Sequence, residues 1–176
     1  NGICLTVVDW GSNWYAADVS KESLNRSTLA SWRVGQTVNV EKAMLPTTRF
    51  GGHIVSGHVD TVGEITLLRQ DARSVYFEVT APAHVAKYLA EKGSVTIDGI
   101  SLTINYLSGS ILSLNVIPHT AERTNIVTWK VGTKVNIEVD VLARYIERLL
   151  LGDRAAEPEV KSGLSMEFLA ENGFLK

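Results

Sequence analysis

The chain has 176 residues, 45% of them hydrophobic, and a formal net charge of −2. That is enough to bury a core as one large domain or two small ones, and the scattered charges, with no basic block or acidic run, point to small molecules or protein as partners rather than nucleic acid. The single cysteine, Cys4, excludes an intrachain disulfide and a four-cysteine metal site, which fits a reducing cytosol; no apolar run approaches the roughly 18 residues of a membrane span, and no signal peptide is visible.

The first segment, Asn1-Gly-Ile-Cys-Leu-Thr-Val7, recurs 97 positions later as Asp98-Gly-Ile-Ser-Leu-Thr-Ile104. The same offset aligns Arg26 with Arg123, Trp32-Arg-Val-Gly35 with Trp129-Lys-Val-Gly132, and Val38-Asn-Val-Glu41 with Val135-Asn-Ile-Glu138. About 12 of about 41 ungapped positions are identical, so the chain reads as an internal duplication. The second copy has a preamble of about 40 residues before Asp98, beginning near Gly57, whereas nothing precedes Asn1. The expectation is a first domain without its opening segment.

Alternation along an extended strand places Cys4 and Thr6 on one face and Leu5 on the other, and likewise Ser101 and Thr103 opposite Leu102. A face of small hydroxyl or thiol groups can hydrogen-bond a flat heterocycle; it can equally be a solvated strand side, and Cys4 a small buried apolar residue. Gly11-Ser-Asn13 reads as a turn, Ser23–Ala30 as a short helix, and Val38 and Val40 as alternating strand residues.

Between the copies lies Gly51-Gly-His-Ile-Val-Ser-Gly-His-Val-Asp60. Glycine lets a backbone approach a ligand closely, and histidine moves protons near neutral pH. His53 and His58 are five positions apart and would face opposite sides of a strand, which argues against a shared metal site; each can also be a hydrogen-bonded structural residue. A helix is expected over Ala83–Ala90, and Lys92, in Glu91-Lys-Gly93, reads first as a solvated lysine. His84 reads as a surface residue, and His119 is replaced by Glu22 in the other copy.

Ser108-Gly-Ser110 marks a turn; Leu112, Leu114 and Val116, then Ile137 and Val139, alternate as strands. Thr120–Val127 is expected as a helix with Thr120 near its cap. Short strands at close spacing point to a small closed barrel. After the second copy the period becomes helical over residues 140–151. Gly152–Gly163 reads as a linker and Ser165–Asn172 as a terminal helix stopped by Gly173. No phosphate loop, dinucleotide fingerprint, zinc motif or Gly-x-Ser-x-Gly occurs.

The motifs Asn1-Gly-Ile-Cys-Leu-Thr6, Gly52-His-Ile-Val-Ser-Gly-His-Val-Asp-Thr-Val-Gly63, Ile97-Asp-Gly-Ile-Ser-Leu-Thr103 and Val135-Asn-Ile-Glu-Val-Asp140 closely resemble the riboflavin synthase family, from Asn1 to about Leu151. The Met-Phe-Thr-Gly-Ile segment that usually opens the family is absent. The resemblance implies an all-β fold with short helices: tandem duplicated six-stranded Greek-key β-barrels plus a C-terminal helix. It divides the chain into 1–52, 53–140 and 141–176. It further implies a cytoplasmic homotrimer, with lumazine synthase as a candidate partner and no cofactor or metal. Two molecules of 6,7-dimethyl-8-ribityllumazine would dismutate to riboflavin and a ribitylaminopyrimidinedione, the last step of riboflavin biosynthesis, where one subunit's first barrel meets its neighbour's second.

Carried over by position, Cys4, Leu5 and Thr6 with Asp18, Val19, Ser20, Lys21, Glu22 and Ser23 would line the first pocket. Ser101, Leu102 and Thr103 with Asn115, Val116, Ile117, Pro118, His119 and Thr120 would line the second. Gly57, His58 and Val59, together with Lys92, would close the site from the partner barrel, and Asp140 would hydrogen-bond or orient groups near the reacting rings. The resemblance thus implies catalytic roles for His58 as base, for Cys4 or Ser101 as a transient nucleophile or water-positioning group, and for Lys92 and Asp140. The alternatives are a non-catalytic lumazine- or flavin-binding protein of the same fold, which tends to lose the segments kept here as Ser56-Gly-His58 and Ser101-Leu-Thr103, and an interaction barrel without a ligand.

Overall fold

The structure is a computed structural model that describes residues 1–158. They fall into two units, divided between Arg144 and Tyr145. The first unit opens with a hairpin of β1 (Val7–Trp10) and β2 (Tyr15–Ala17), followed by α1 (Lys21–Arg26) and a 3₁₀ turn at Thr28–Ser31. The second copy follows as β3 (Thr61–Asp71), β4 (Ser74–Thr80), α2 (Ala83–Ala86), β5 (Ser94–Ile97), β6 (Ile100–Thr103), β7 (Tyr106–Ser108), β8 (Ile111–Val116), α3 (Pro118–Glu122), a 3₁₀ turn at Asn125–Thr128, and β9 (Lys134–Val139). Helix α4 (Val141–Leu151) carries the chain into the second unit, where a 3₁₀ turn covers Gly152–Ala156.

Strands β3 to β9 form one antiparallel sheet in the order β6-β5-β9-β3-β4-β8-β7. In β4, β5, β6, β8 and β9 alternate residues are apolar, and the inward set forms one core with Ile65 of β3. Ile65, Phe77, Val79, Val95, Ile97, Ile104, Leu112, Leu114 and Ile137 are fully buried. Trp129 meets Phe77 edge-on, the rings 5.1 Å apart and inclined at 79°, an arrangement that places a positive ring edge on a negative ring face.

The duplication is visible in the register. In the first copy Asp9 pairs with Ala16 and Trp10 with Tyr15; in the second Tyr106 pairs with Ser113 and Leu107 with Leu112, each residue displaced by the 97 of the sequence repeat. Where the copies meet they exchange equivalent bonds. The Asn136 amide accepts from the Thr28 N–H and donates to the Asn1 carbonyl, both at 2.8 Å. Its mate Asn39 accepts from the Asn125 N–H at 2.7 Å and donates to the Asp98 carbonyl at 2.9 Å. Gly2 and Gly99 cross there: a β-carbon on Gly2 would lie 2.6 Å from the Gly99 nitrogen, so only glycine allows the two backbones this approach.

Several local expectations change. Val38–Glu41 alternates like a strand, yet forms none. Its mate β9 is held by β3 and β5, and the chain described here has no counterparts of those strands at the repeat offset. Helix α2 stops at Ala86, because the next turns tighten to Tyr88 N–H on Val85 and Leu89 N–H on Ala86. Thr120 is not a cap: α3 starts at Pro118, whose fixed φ and missing N–H suit a first helical position, and Thr120 lies inside the helix. The expected helix Thr120–Val127 is therefore α3 followed by a 3₁₀ turn. In the first copy Ser20, not Ser23, caps α1, its hydroxyl accepting from the Ser23 N–H at 3.0 Å. Part of the expected linker forms the turn Gly152–Ala156. The expected helix Ser165–Asn172 lies outside the described residues. No helix among the described residues is long and apolar enough to cross a membrane.

Candidate active site

Two adjoining pockets lie beside the first copy, one on it and one between it and residues that follow it. One is lined by Cys4, Leu5, Thr6, Val8, Asp18, Val19, Ser20 and Ser23, which brings together the two expected first-copy sets except Lys21, which lines neither pocket, and Glu22, which lines the other. The other, a cavity of about 430 Å³, is lined by Ile3, Cys4, Glu22, Ser23, Arg26, Ser27, Gly57, His58, Val59, Asp60, His84 and Arg144. Cys4 and Ser23 belong to both, so a ligand in the first pocket has the His58 cavity beside it.

The segment carrying His58 is tied down on both sides. Glu138, only 5% exposed, receives the Ser56 N–H on Oε1 at 2.7 Å and the Gly57 N–H on Oε2 at 3.0 Å. Gly57, at φ 74°, turns its carbonyl to accept the Cys4 N–H at 2.8 Å. Asp60 accepts from the Val139 N–H at 2.7 Å and from Arg144 Nη2. The Arg144 guanidinium also lies over the Tyr88 ring, 4.7 Å from its centre. Two carboxylates thus fix the backbone before and after His58, which is itself exposed to the cavity. The cavity gathers a thiol, two imidazoles, two guanidiniums and two carboxylates: groups that can move a proton and hold polar substituents of a flat ligand.

The remaining expected residues are placed differently. Ser101 and Leu102 lie in β6, with Thr103 exposed at its end. Asn115 and Val116 end β8, Ile117 is the residue before α3, and Pro118, His119 and Thr120 are in its first turn. Asn115 is exposed and its amide donates to Asp71 at 3.3 Å. Ser101 lies against His53 rather than His58, their Oγ and Nδ1 atoms 2.8 Å apart. Lys21 is exposed on α1, and Glu22 accepts from Arg26 Nε at 2.7 Å. Lys92 is exposed at φ 62° and lines neither pocket. Asp140 immediately precedes α4, accepting the Leu142 N–H on Oδ1 at 3.0 Å and the Ala143 N–H on its carbonyl at 3.0 Å. Sequence reasoning gave no role to Glu138, Asp60, Arg26 and Arg144, and it read His84 as a surface residue; His84 is exposed and lines the cavity. Of these, the recurrence of Glu138 as Glu41 in the repeat was a usable signal. Among the described residues no three His, Cys, Asp or Glu side chains cluster as metal ligands.

At the seam between the copies Asp98 is 2% exposed. Burial pushes its carboxyl above the ordinary carboxylate range, offset in part by the Asn136 N–H on Oδ1 at 2.8 Å and the Asn125 amide on Oδ2 at 2.7 Å.

Residues 1–43 and 56–140 match the family model described as "Lumazine binding domain". The chain is 56% identical over 175 residues to the riboflavin synthase of Photobacterium phosphoreum, covering 99% of this chain and 79% of that one. It belongs to the riboflavin synthase family. Against the riboflavin synthase of Bacillus subtilis (strain 168) the identity is 41% over 174 residues, covering 99% of this chain and 80% of the relative. The fold resembles the crystal structure of LumP complexed with 6,7-dimethyl-8-(1'-D-ribityl) lumazine, with a TM-score of 0.70 at 22% identity over 78% of this chain and 73% of that one. LumP complexed with riboflavin gives 0.72 at 23%, over 79% and 75%. The all-β duplicated architecture expected of a riboflavin synthase is the one this chain has.

Proposed function

We infer that this chain catalyses the riboflavin synthase reaction: two molecules of 6,7-dimethyl-8-ribityllumazine exchange a four-carbon unit, leaving riboflavin and 5-amino-6-(D-ribitylamino)uracil. The observation that carries this reading is the first-copy pocket. There Cys4, Leu5 and Thr6 face Asp18, Val19 and Ser20, and the adjoining cavity adds His58. A lumazine in that pocket would have the His58 imidazole in the adjoining cavity. Its C7 methyl is acidic because the carbanion delocalises into the ring, and His58 is the base assigned to it. Cys4 in the first copy and Ser101 in the second are the groups assigned to C7, adding transiently or placing a water. Positioning two rings against each other is the largest contribution, worth about 7–11 kcal/mol as effective concentration. The rest of the two binding sets are assigned as in the sequence, with Lys92 closing the site from the partner barrel and Asp140 orienting groups near the reacting rings. The reaction needs no cofactor, since the substrate ring itself takes up the electrons.

This reading carries further assignments: a division into 1–52, 53–140 and 141–176, a homotrimer, a cytoplasmic location, and lumazine synthase as a candidate partner. Supporting the homotrimer, Ile146, Leu149 and Leu150 are exposed apolar residues along α4. Incubation of the protein with the lumazine tests the activity. One riboflavin should form for every two lumazines lost. Tight binding without turnover would favour a non-catalytic lumazine carrier, and absence of binding would overturn both.

A further inference from the structure

Cys4 and Ser101 hold the same position in the two copies, and each is met by a Gly-His dipeptide from the same intervening segment. At Cys4 it is Gly57-His58, where a β-carbon on Gly57 would fall 2.7 Å from the Cys4 nitrogen. At Ser101 it is Gly52-His53, where a β-carbon on Gly52 would fall 2.1 Å from Ser101 Oγ. The five-residue spacing that separates the two histidines thus delivers one to each copy. The contact at Ser101 is the more explicit of the two. His53 Nδ1 is 2.8 Å from Ser101 Oγ, His53 Nε2 is 3.1 Å from Thr96 Oγ1, and the His53 backbone N–H reaches Ser101 Oγ at 3.4 Å.

We propose that His53 is the positioning residue of Ser101 in the second-copy site, holding the serine hydroxyl so that it offers the ligand a lone pair. The backbone N–H of His53 can only donate, so it uses one lone pair of Ser101 Oγ. The hydroxyl proton then goes to the nearest acceptor, Nδ1. With Nδ1 accepting, a neutral ring carries its proton on Nε2 and donates it to Thr96 Oγ1. Thr96 is 1% exposed, which fixes the ring from behind as a third group orients the histidine of a nucleophile–base pair. One lone pair of Ser101 remains free. It recognises an N–H or O–H of the ligand, and is the pair from which a nucleophilic oxygen would act. The proposal rests on the assignment of Ser101 to the second lumazine pocket.

Two measurements test it separately from that assignment. Imidazole nitrogen shifts in the ligand-free protein should show His53 as the Nε2–H tautomer, with Nδ1 shifting in Ser101→Ala. A Nδ1–H tautomer, or no shift in that variant, overturns the proposal whatever the protein binds. In a lumazine titration, His53→Ala should weaken the second site about five- to tenfold, the value of one oriented hydrogen bond. His53→Asn, whose side-chain oxygen lies near the place of Nδ1, should recover most of this. Ser101→Ala should weaken binding by the same factor, and His53→Ala should add nothing to it. Additive losses, or no rescue by asparagine, overturn the proposal. A wild-type protein that shows the tautomer but binds no lumazine instead defeats the functional reading.

Discussion

Removing the Glu138 carboxylate should loosen the His58 segment and destabilise the protein together. In Glu138→Ala the Ser56 and Gly57 N–H groups, held at 2.7 and 3.0 Å, lose their only acceptors at that carboxylate. Hydrogen bonds to a charged group are worth about 1.5–3 kcal/mol each, so the two together set a range of about 3–6 kcal/mol. Both residues are half-buried, and water can re-solvate part of what is lost. We therefore expect about 3 kcal/mol, a large share of the about 5–15 kcal/mol that stabilises a typical domain. Glu138→Gln keeps one acceptor and sets an amide donor against the other N–H, so it should fall between alanine and wild type. Urea unfolding followed by tryptophan fluorescence gives both values. Because the Gly57 carbonyl accepts from Cys4, lumazine binding at the first copy should weaken in the same order. Loss of less than about 0.5 kcal/mol in Glu138→Ala, the level of an ordinary surface substitution, would refute the clamp.

His58→Ala should slow turnover more than it weakens lumazine binding, as steady-state kinetics beside a fluorescence titration would reveal; unchanged turnover in a folded variant removes His58 from the chemistry. Asn136→Ala orphans the Thr28 N–H and the Asn1 carbonyl, two buried groups at about 1–3 kcal/mol each, so unfolding should become easier by about 3 kcal/mol, while Asn13→Ala on the exposed turn changes little. Asp98 supplies a pH test. Its folded carboxyl is raised by burial, so the folded state binds that proton more tightly than the unfolded state does. The stability this contributes is full below the unfolded carboxylate pKa of about 4 and is lost as pH rises through the raised folded value. Asp98→Asn should therefore show a shallower decline in denaturation midpoint from pH 4 upward, and parallel curves would count against it.

The duplication was legible because repeated Gly, Trp and Val-Asn-x-Glu positions lie at one offset, and offset is a property of the chain itself. For the first pocket, alternation along the chain pointed to Cys4 and Thr6, whereas Asp18–Ser23 came only through the family resemblance; the hairpin between them pairs residues close in sequence. The pairing of His53 with Ser101 joins residues 48 apart, and no periodicity reports it. Arg144 and Asp60 meet across 84 positions, equally out of reach. Alternation at Val38 and Val40 reports two faces but not a ladder, and without neighbouring strands it gives no sheet. At α3 the signal was present and outranked: Pro118 suits a helix start better than Thr120.

The crossing of Gly2 over Gly99 has a consequence for how the halves tolerate change. Even one methyl group at either position would act as a wedge, prying apart the asparagine contacts on both sides. The spacing between the halves is thus set by an absence of atoms, and the chain has no slack there with which to accommodate a larger residue.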